Sequence, residues 1–135
     1  MSGAGLHKQS QVAPLSIPGG FAQGLALLAD PQTRPTAIFA GSDEVAIGVI
    51  IAARQLGIRV PAQLSVVGID GHELAEMFGL TTLEQDPRGQ GALAVDLVMG
   101  ELTAGERTPE TMPKHAWRPC PVRLVVRSSA TAPAH

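Results

Sequence analysis

The stretch "PTAIFAGSDEVAIGVIIAARQLGIRVPAQLSVVGIDG", residues 35–71, decides the fold of this chain. It contains two short apolar runs, at 36–40 and 65–69, and both have the length of buried strands. Between them, residues 43–57 have the composition of a helix. A strand, a helix and a second strand in this order predict the repeating unit of a parallel α/β sheet.

The helix predicted at 43–57 carries start and stop signals. Ser42 is a favourable N-cap residue, since its hydroxyl can accept a hydrogen bond from a free backbone N–H. Asp43 and Glu44 suit the positive end of the helix dipole. Gly57 provides the left-handed conformation that commonly ends a helix.

The remaining sequence extends the alternation of strands and helices. The further predicted elements are a short edge strand at 11–17, a helix at 19–30, a loop or short helical turn at 72–80, a strand at 80–85, a helix at 88–102 and a strand at 122–129. In the first helix Phe21, Leu25 and Leu28 share one face. The last strand alternates, which predicts Val122, Leu124 and Val126 inward and Arg123 and Arg127 outward.

Composition limits the classes of function. A length of 135 residues predicts one domain. The formal net charge is −2 and no cluster of Lys and Arg occurs, which argues against nucleic-acid binding by this chain alone. The single Cys120 argues against a disulfide framework and fits a reducing cytoplasm. No signal sequence or membrane span is predicted, so we expect a cytoplasmic protein.

Polar side chains follow three of the predicted strands. Ser42 and Asp43 come directly after 36–40, Asp70 ends 65–69, and Gln85 ends the next strand. Ligands of parallel sheets bind outside the carboxyl ends of the strands, so these residues are candidates for one crevice. Carboxylates there suit a small molecule rich in hydroxyl or amino groups. The alternative is that Ser42 and Asp43 only start the helix and Asp70 only makes a turn.

The segment from Val45 to Ala53 has no charged side chain, although a helix on a sheet needs only one apolar stripe. One explanation is that the face exposed to solvent consists of small residues, which need no polar group. A subunit interface is the other, and it is the one we favour.

No catalytic or metal-binding pattern is recognisable. There is no nucleophile elbow, and His7, His72, His115 and His135 lack metal-ligand spacing. We therefore expect neither an enzyme nor a cofactor.

Three segments closely resemble the effector-binding domain of bacterial LacI/GalR-type transcriptional regulators. They are PTAIFAGSDEVAIG at 35–48, LGIRVPAQLSVVGID at 56–70 and LTTLEQ at 80–85. The resemblance implies a periplasmic-binding-protein-like fold, in which two α/β lobes enclose an effector, often a sugar or a nucleobase. It places residues 11–129 in one three-layer, parallel-sheet lobe. The small and polar composition of the two ends predicts disorder at 1–10 and 130–135. An alternative with the same fold is the sugar- or solute-binding protein of a transporter.

By matching position, the resemblance implies six residues for effector binding: Ser42, Asp43, Asp70, Gln85, Leu15 and Ser16. Two of the matched positions depart from the family pattern. Ser42 replaces the usual Asn, which shortens the polar reach, and Gly71 replaces a common second Asp.

The family forms dimers through the helix that matches 43–57 and the loop after Asp70. The resemblance therefore implies a homodimer, with exchange of elements as one form, and an interface made by Val45, Val49, Ile50, Ala53, His72 and Leu74. Helix 88–102 would pack on the other lobe of a full-length member. Without that lobe we expect it either to fold back or to meet a second copy. DNA would be bound only through an N-terminal domain or a full-length partner.

Overall fold

The computed structural model describes residues 9–103 and 119–132. In these ranges the elements are α1 (Ile17–Leu28), β1 (Ala37–Phe39), α2 (Asp43–Gln55), β2 (Ser65–Asp70), a 3-10 helix (Glu73–Ala75), β3 (Thr81–Glu84), α3 (Pro87–Thr103) and β4 (Arg123–Val125). All three predicted helices and the predicted turn at 72–80 are present. The expectation of a disordered N-terminus at 1–10 falls mostly on residues outside the described ranges.

The four strands form one sheet in the order β1-β2-β3-β4. The pairs β1–β2 and β2–β3 are parallel, and β4 runs antiparallel to β3. This mostly parallel sheet with helices confirms the predicted α/β class.

The strand predicted at 11–17 is wrong, because residues 11–14 are irregular and α1 begins at Ile17. Proline has no N–H for a sheet, and the carbonyl of Pro14 instead accepts a hydrogen bond of 2.8 Å from the Ser16 amide. This tight turn leads the chain into α1.

Helices α1 and α2 pack through glycine. A methyl group added at Gly48 would lie 2.3 Å from the carbonyl oxygen of Ile17, and one added at Gly20 would lie 2.3 Å from that of Val45. Gly24 lies against Ala52 in the same way. The two backbones therefore approach more closely than side chains would allow, and the helices run in the same direction. The packed face of α1 follows these glycines and Leu28, whereas Phe21 and Leu25 are only half-buried.

The apolar residues of α2 form the core of the single chain. Ile50 is 1% exposed, and Val45, Val49 and Ala53 are also buried. Because α1 and the sheet already cover them, the all-round apolarity of α2 has an explanation within the chain. Four of the six residues predicted for a dimer interface are thus unavailable to a partner. The other two, His72 and Leu74, remain half-exposed.

One face of the sheet has no helix against it among the described residues. Strand register places Phe39, Val67, Ile69, Leu83 and Leu124 together on this face, opposite α2. Phe39 is 63% exposed. We call these five residues the uncovered sheet face.

The predicted inward direction of Val122, Leu124 and Val126 is wrong, whereas Arg123 is exposed as predicted. Leu124 is 56% exposed because it pairs with Leu83 on the uncovered sheet face. Val122 and Val126 are exposed as well, whereas Arg127 is half-buried. The guanidinium of Arg127 donates a 2.8 Å hydrogen bond to the carbonyl of Leu80.

The C-terminal segment closes the sheet at the amino ends of its strands. The Ser129 hydroxyl accepts from the Thr81 amide at 2.8 Å and donates to the carbonyl of Val66 at 2.5 Å. Thr131 forms two hydrogen bonds with the Ser65 hydroxyl, both 3.2 Å. The tail expected to be disordered from residue 130 is therefore tied to β2 at Thr131, and 133–135 lie outside the described residues.

Helix α3 buries none of its residues. It has not folded back over the sheet, which removes one of the two expected arrangements. Val95, Val98, Met99 and Leu102 follow the i, i+3, i+4, i+7 pattern and form an exposed stripe, which we call the α3 stripe.

Candidate functional site

The carboxyl ends of β1, β2 and β3 meet at one edge of the sheet, because the three strands are parallel. The N-terminus of α2 follows β1 directly at this edge. The contact of Gly20 with Val45 brings the N-terminus of α1 next to that of α2. We call this region the carboxyl edge.

Asp70 and Gln85 lie together at the carboxyl edge. The Gln85 Nε2 donates a 3.1 Å hydrogen bond to the Asp70 Oδ1. Gln90, in the first turns of α3, donates from its Nε2 to the Gln85 Oε1 at 3.5 Å. Asp70 is exposed and Gln85 is half-buried, so the carboxylate and the amide both reach solvent. Together they can accept from and donate to a ligand hydroxyl.

The Asp70 backbone adopts a positive φ of 130°, and Gly71 follows with φ 74°. Asp70 is the only described residue other than glycine with a positive φ. Such conformations cost free energy and concentrate at ligand sites and switches.

The environment raises the pKa of the Asp70 carboxyl above its usual value of 3.8. Partial burial is the main cause, and the nearby Asp43 carboxylate adds to it. A hydrogen bond with the Asp43 backbone and the proximity of His72 act in the opposite direction, while Glu44 raises the pKa further.

The other predicted ligand residues at the edge include two helix caps. The Ser42 Oγ accepts from the Val45 amide at 3.2 Å, and the Ser16 Oγ accepts from the Gly19 amide at 3.2 Å. Ser42 is almost completely buried, whereas Ser16 is half-buried. Leu15 is exposed beside Ser16.

Asp43 does not face the solvent at the edge, contrary to its predicted role as an effector contact. Its side chain is 0% exposed. The Oδ1 accepts from the Thr82 hydroxyl at 2.7 Å, and the Oδ2 accepts from the His72 amide at 2.7 Å. The chain itself therefore satisfies both oxygens.

Sequence reasoning missed Thr82 and Gln90. Both became visible only through partners elsewhere in the chain, at Asp43 and Gln85. Two adjacent hydroxyls in the apolar strand "LTTLE" were the available signal, since a buried hydroxyl needs a hydrogen-bond partner.

The described residues contain no group of three or more His, Cys, Asp or Glu side chains arranged to hold a metal ion. None of their helices combines the length and the apolar character needed to span a membrane.

The fold and the carboxyl edge define a periplasmic-binding-protein-like lobe. Residues 4–130 match the family described as "Periplasmic binding protein-like domain", and the chain belongs to this family. Its relatives are of the LacI/GalR regulator type, which confirms the resemblance read from the sequence. The HTH-type transcriptional repressor PurR of Vibrio vulnificus is 37% identical over 104 residues, which are 76% of this chain and 29% of that protein.

Two solved structures extend the comparison. The lac repressor dimer bound to operator and the anti-inducer ONPF has a TM-score of 0.71 and 31% identity, over 89% of this chain and 40% of that chain. A LacI family regulator from Enterococcus faecium with bound ribose has a TM-score of 0.66 and 28% identity, over 91% and 43%. The chain thus spans less than half the length of these proteins, and 25 to 29% of the curated relatives from Edwardsiella ictaluri and Vibrio vulnificus. The curated relatives are named repressors rather than enzymes.

Proposed function

We propose that this chain is the effector-sensing and dimerisation part of a cytoplasmic LacI-type transcriptional regulator. It binds a small polar ligand such as a sugar at the carboxyl edge. The observation that carries the proposal is the Asp70–Gln85 pair, joined at 3.1 Å across the ends of neighbouring strands and open to solvent. An ionised carboxylate beside an amide suits adjacent hydroxyls of a sugar.

DNA is bound by another domain or by a full-length partner. The net charge of −2 supports this division, because phosphate neutralisation needs concentrated positive charge.

The proposed homodimer uses the segment after β2 rather than the core of α2. His72 and Leu74 are half-exposed, and Met77 is 80% exposed. These side chains are accessible to a partner. The guanidinium of the exposed Arg54, near the end of α2, lies 5.4 Å from the centre of the Phe78 ring, and Phe78 follows Met77 in the sequence. Methionine is adaptable in such contacts.

Binding of D-ribose and D-glucose, measured by titration calorimetry, tests the ligand proposal. We expect dissociation constants in the ~mM range for one side of a cleft. Asp70→Ala should weaken binding by about 10-fold or more, because a hydrogen bond to a charged group contributes about 1.5–3 kcal/mol. Gln85→Ala should weaken it less.

Asp96→Ala is the matched control, because Asp96 is an exposed carboxylate on α3 away from the edge. It should bind like the wild type. Absence of binding to sugars and to free nucleobases would overturn the ligand proposal, as would sugar binding that Asp70→Ala leaves unchanged.

A further inference from the structure

The Asp43 carboxylate lies between α2 and the sheet. It is the first residue of α2, and it rests on the backbone of β2 where Gly68 has no side chain. A methyl group at Gly68 would lie 2.1 Å from the Asp43 Oδ1. A buried carboxylate needs hydrogen bonds to compensate for lost hydration. Its partners therefore show what this carboxylate holds in place.

Those partners hold the two residues that follow Asp70. The Asp43 Oδ2 accepts directly from the His72 amide, and its Oδ1 accepts from the Thr82 hydroxyl, each at 2.7 Å. The same Thr82 oxygen accepts from the Gly71 amide at 3.4 Å. Both amides of the turn thus depend on one buried carboxylate, directly or through Thr82.

The turn continues into the 3-10 helix Glu73–Ala75 through His72. The His72 Nδ1 accepts a 3.1 Å hydrogen bond from the Leu74 amide and caps that helix. At its start the turn fixes the position of Asp70. The φ of 130° at Asp70 is an unfavourable conformation that persists only when neighbouring contacts hold it. One peptide segment therefore connects the exposed Asp70 carboxylate to the segment that carries Leu74 and Met77.

We propose that Asp43 is a positioning residue of the carboxyl edge that makes no contact with the ligand. It holds the Asp70–Gly71–His72 turn and couples that turn to the 3-10 helix, so a ligand at Asp70 alters the surface carrying Leu74 and Met77. The part that concerns the ligand rests on the function proposed above. The coupling within the chain does not.

Amide hydrogen exchange, followed by NMR on the full chain, tests the coupling without any ligand. Thr82→Val removes the hydroxyl but keeps the shape, and Asp43→Asn removes one of the two acceptors. Both should speed exchange at the Gly71, His72 and Leu74 amides by up to about ten-fold, the upper range expected when one ordinary hydrogen bond is lost. Exchange at the core amide of Ile50 should change far less. Thr82→Ser, which restores the hydroxyl, should behave like the wild type.

Two results would overturn the coupling. One is a folded Asp43→Asn or Thr82→Val protein with wild-type exchange at His72 and Leu74. The other is equal acceleration at these amides and at Ile50, which indicates a general loss of stability. If Asp43→Asn does not fold, Thr82→Val and Thr82→Ser still give this comparison.

Addition of D-ribose separates this inference from the proposed function. If ribose binds, it should slow exchange at His72 and Leu74 in the wild type and have less effect in Thr82→Val. Binding without any change at these amides would overturn the effect on the Leu74 and Met77 surface and leave the proposed function standing. Absence of binding by any sugar or nucleobase would overturn the proposed function, while the exchange rates would still decide the coupling.

Discussion

At the residue scale, two neighbouring carboxylates of the carboxyl edge have opposite environments. Asp43 is buried with both oxygens hydrogen-bonded, whereas Asp70 is exposed and has a raised pKa. Folding disfavours the ionised form of a group whose folded-state pKa is raised. The resulting cost of Asp70 grows as the pH rises from 3.8 through the raised value and is complete above it.

We expect Asp70→Asn to be more stable than the wild type at pH 7. Screening by solvent keeps the gain below about 1 kcal/mol, because Asp70 is exposed. The gain should disappear as the pH falls below 3.8, where the Asp70 carboxyl becomes neutral in the unfolded chain as well as in the folded one. Thermal unfolding as a function of pH measures this. A wild type more stable than Asp70→Asn at pH 7, with no change in Asp96→Asn, would contradict it.

Sequence reasoning at this scale succeeded where the cause was local. The N-cap role of Ser42 follows from its neighbours, and its hydroxyl indeed accepts from Val45. The Asp43 carboxylate, in contrast, accepts hydrogen bonds from Thr82, 39 residues away in the sequence, and from His72. No local pattern contains that information, so the sequence could not show that hydrogen bonds within the chain satisfy the Asp43 carboxylate.

At the element scale, helix α2 is held by glycine on both sides. Gly48 admits the backbone of α1, and Gly68 admits the Asp43 carboxylate. Start and stop signals located α2, and periodicity located α1. Periodicity placed the packed face of α1 on Phe21, Leu25 and Leu28, because it counts apolar side chains and ignores glycine. The spacing of apolar side chains also revealed the alternation in β4. It could not show which of its two faces points to the core, because that depends on the face of the sheet that α2 covers.

We expect Gly48→Ala to destabilise the chain by about 3 kcal/mol, the upper end for overpacking, because the new methyl group would meet backbone atoms that cannot rotate away. Denaturant unfolding measures the change. The control is Gly100→Ala in α3, where a methyl group meets nothing within 4 Å. That substitution should be neutral or favour α3 by up to about 1 kcal/mol through helix propensity. Equal effects of the two substitutions would contradict close packing of α1 on α2.

At the scale of the whole molecule, the chain leaves two apolar surfaces open among its described residues, the uncovered sheet face and the α3 stripe. Exposed apolar surfaces of this kind commonly mark sites of interaction. The sequence predicted a partner for α2 and for helix 88–102. The chain already buries the residues of α2, whereas those of the α3 stripe are exposed. Composition records how much apolar surface a helix has, and only the fold shows what covers it.

Light scattering of the full chain should give the mass of a dimer. Met77→Asp should convert it to a folded monomer if the segment after β2 forms the interface, and Val98→Asp should do so if the α3 stripe does. Both side chains are exposed in the single chain, so neither charge should prevent folding. Ile50→Asp serves as the contrasting variant, since a charge at a side chain 1% exposed should unfold the chain. A monomeric wild type would contradict the proposed homodimer.

The hydrogen bonds of Ser129 have a consequence for the order of folding. Its hydroxyl joins Val66 to Thr81, which lie 63 and 48 residues earlier in the sequence. During synthesis from the N-terminus, the amino ends of β2 and β3 therefore lack this hydrogen-bond partner until Ser129 has been made. Contacts so distant in sequence slow folding, because the loop between them must close first. We expect nascent chains that end before Ser129 to be the species most exposed to aggregation and to proteases.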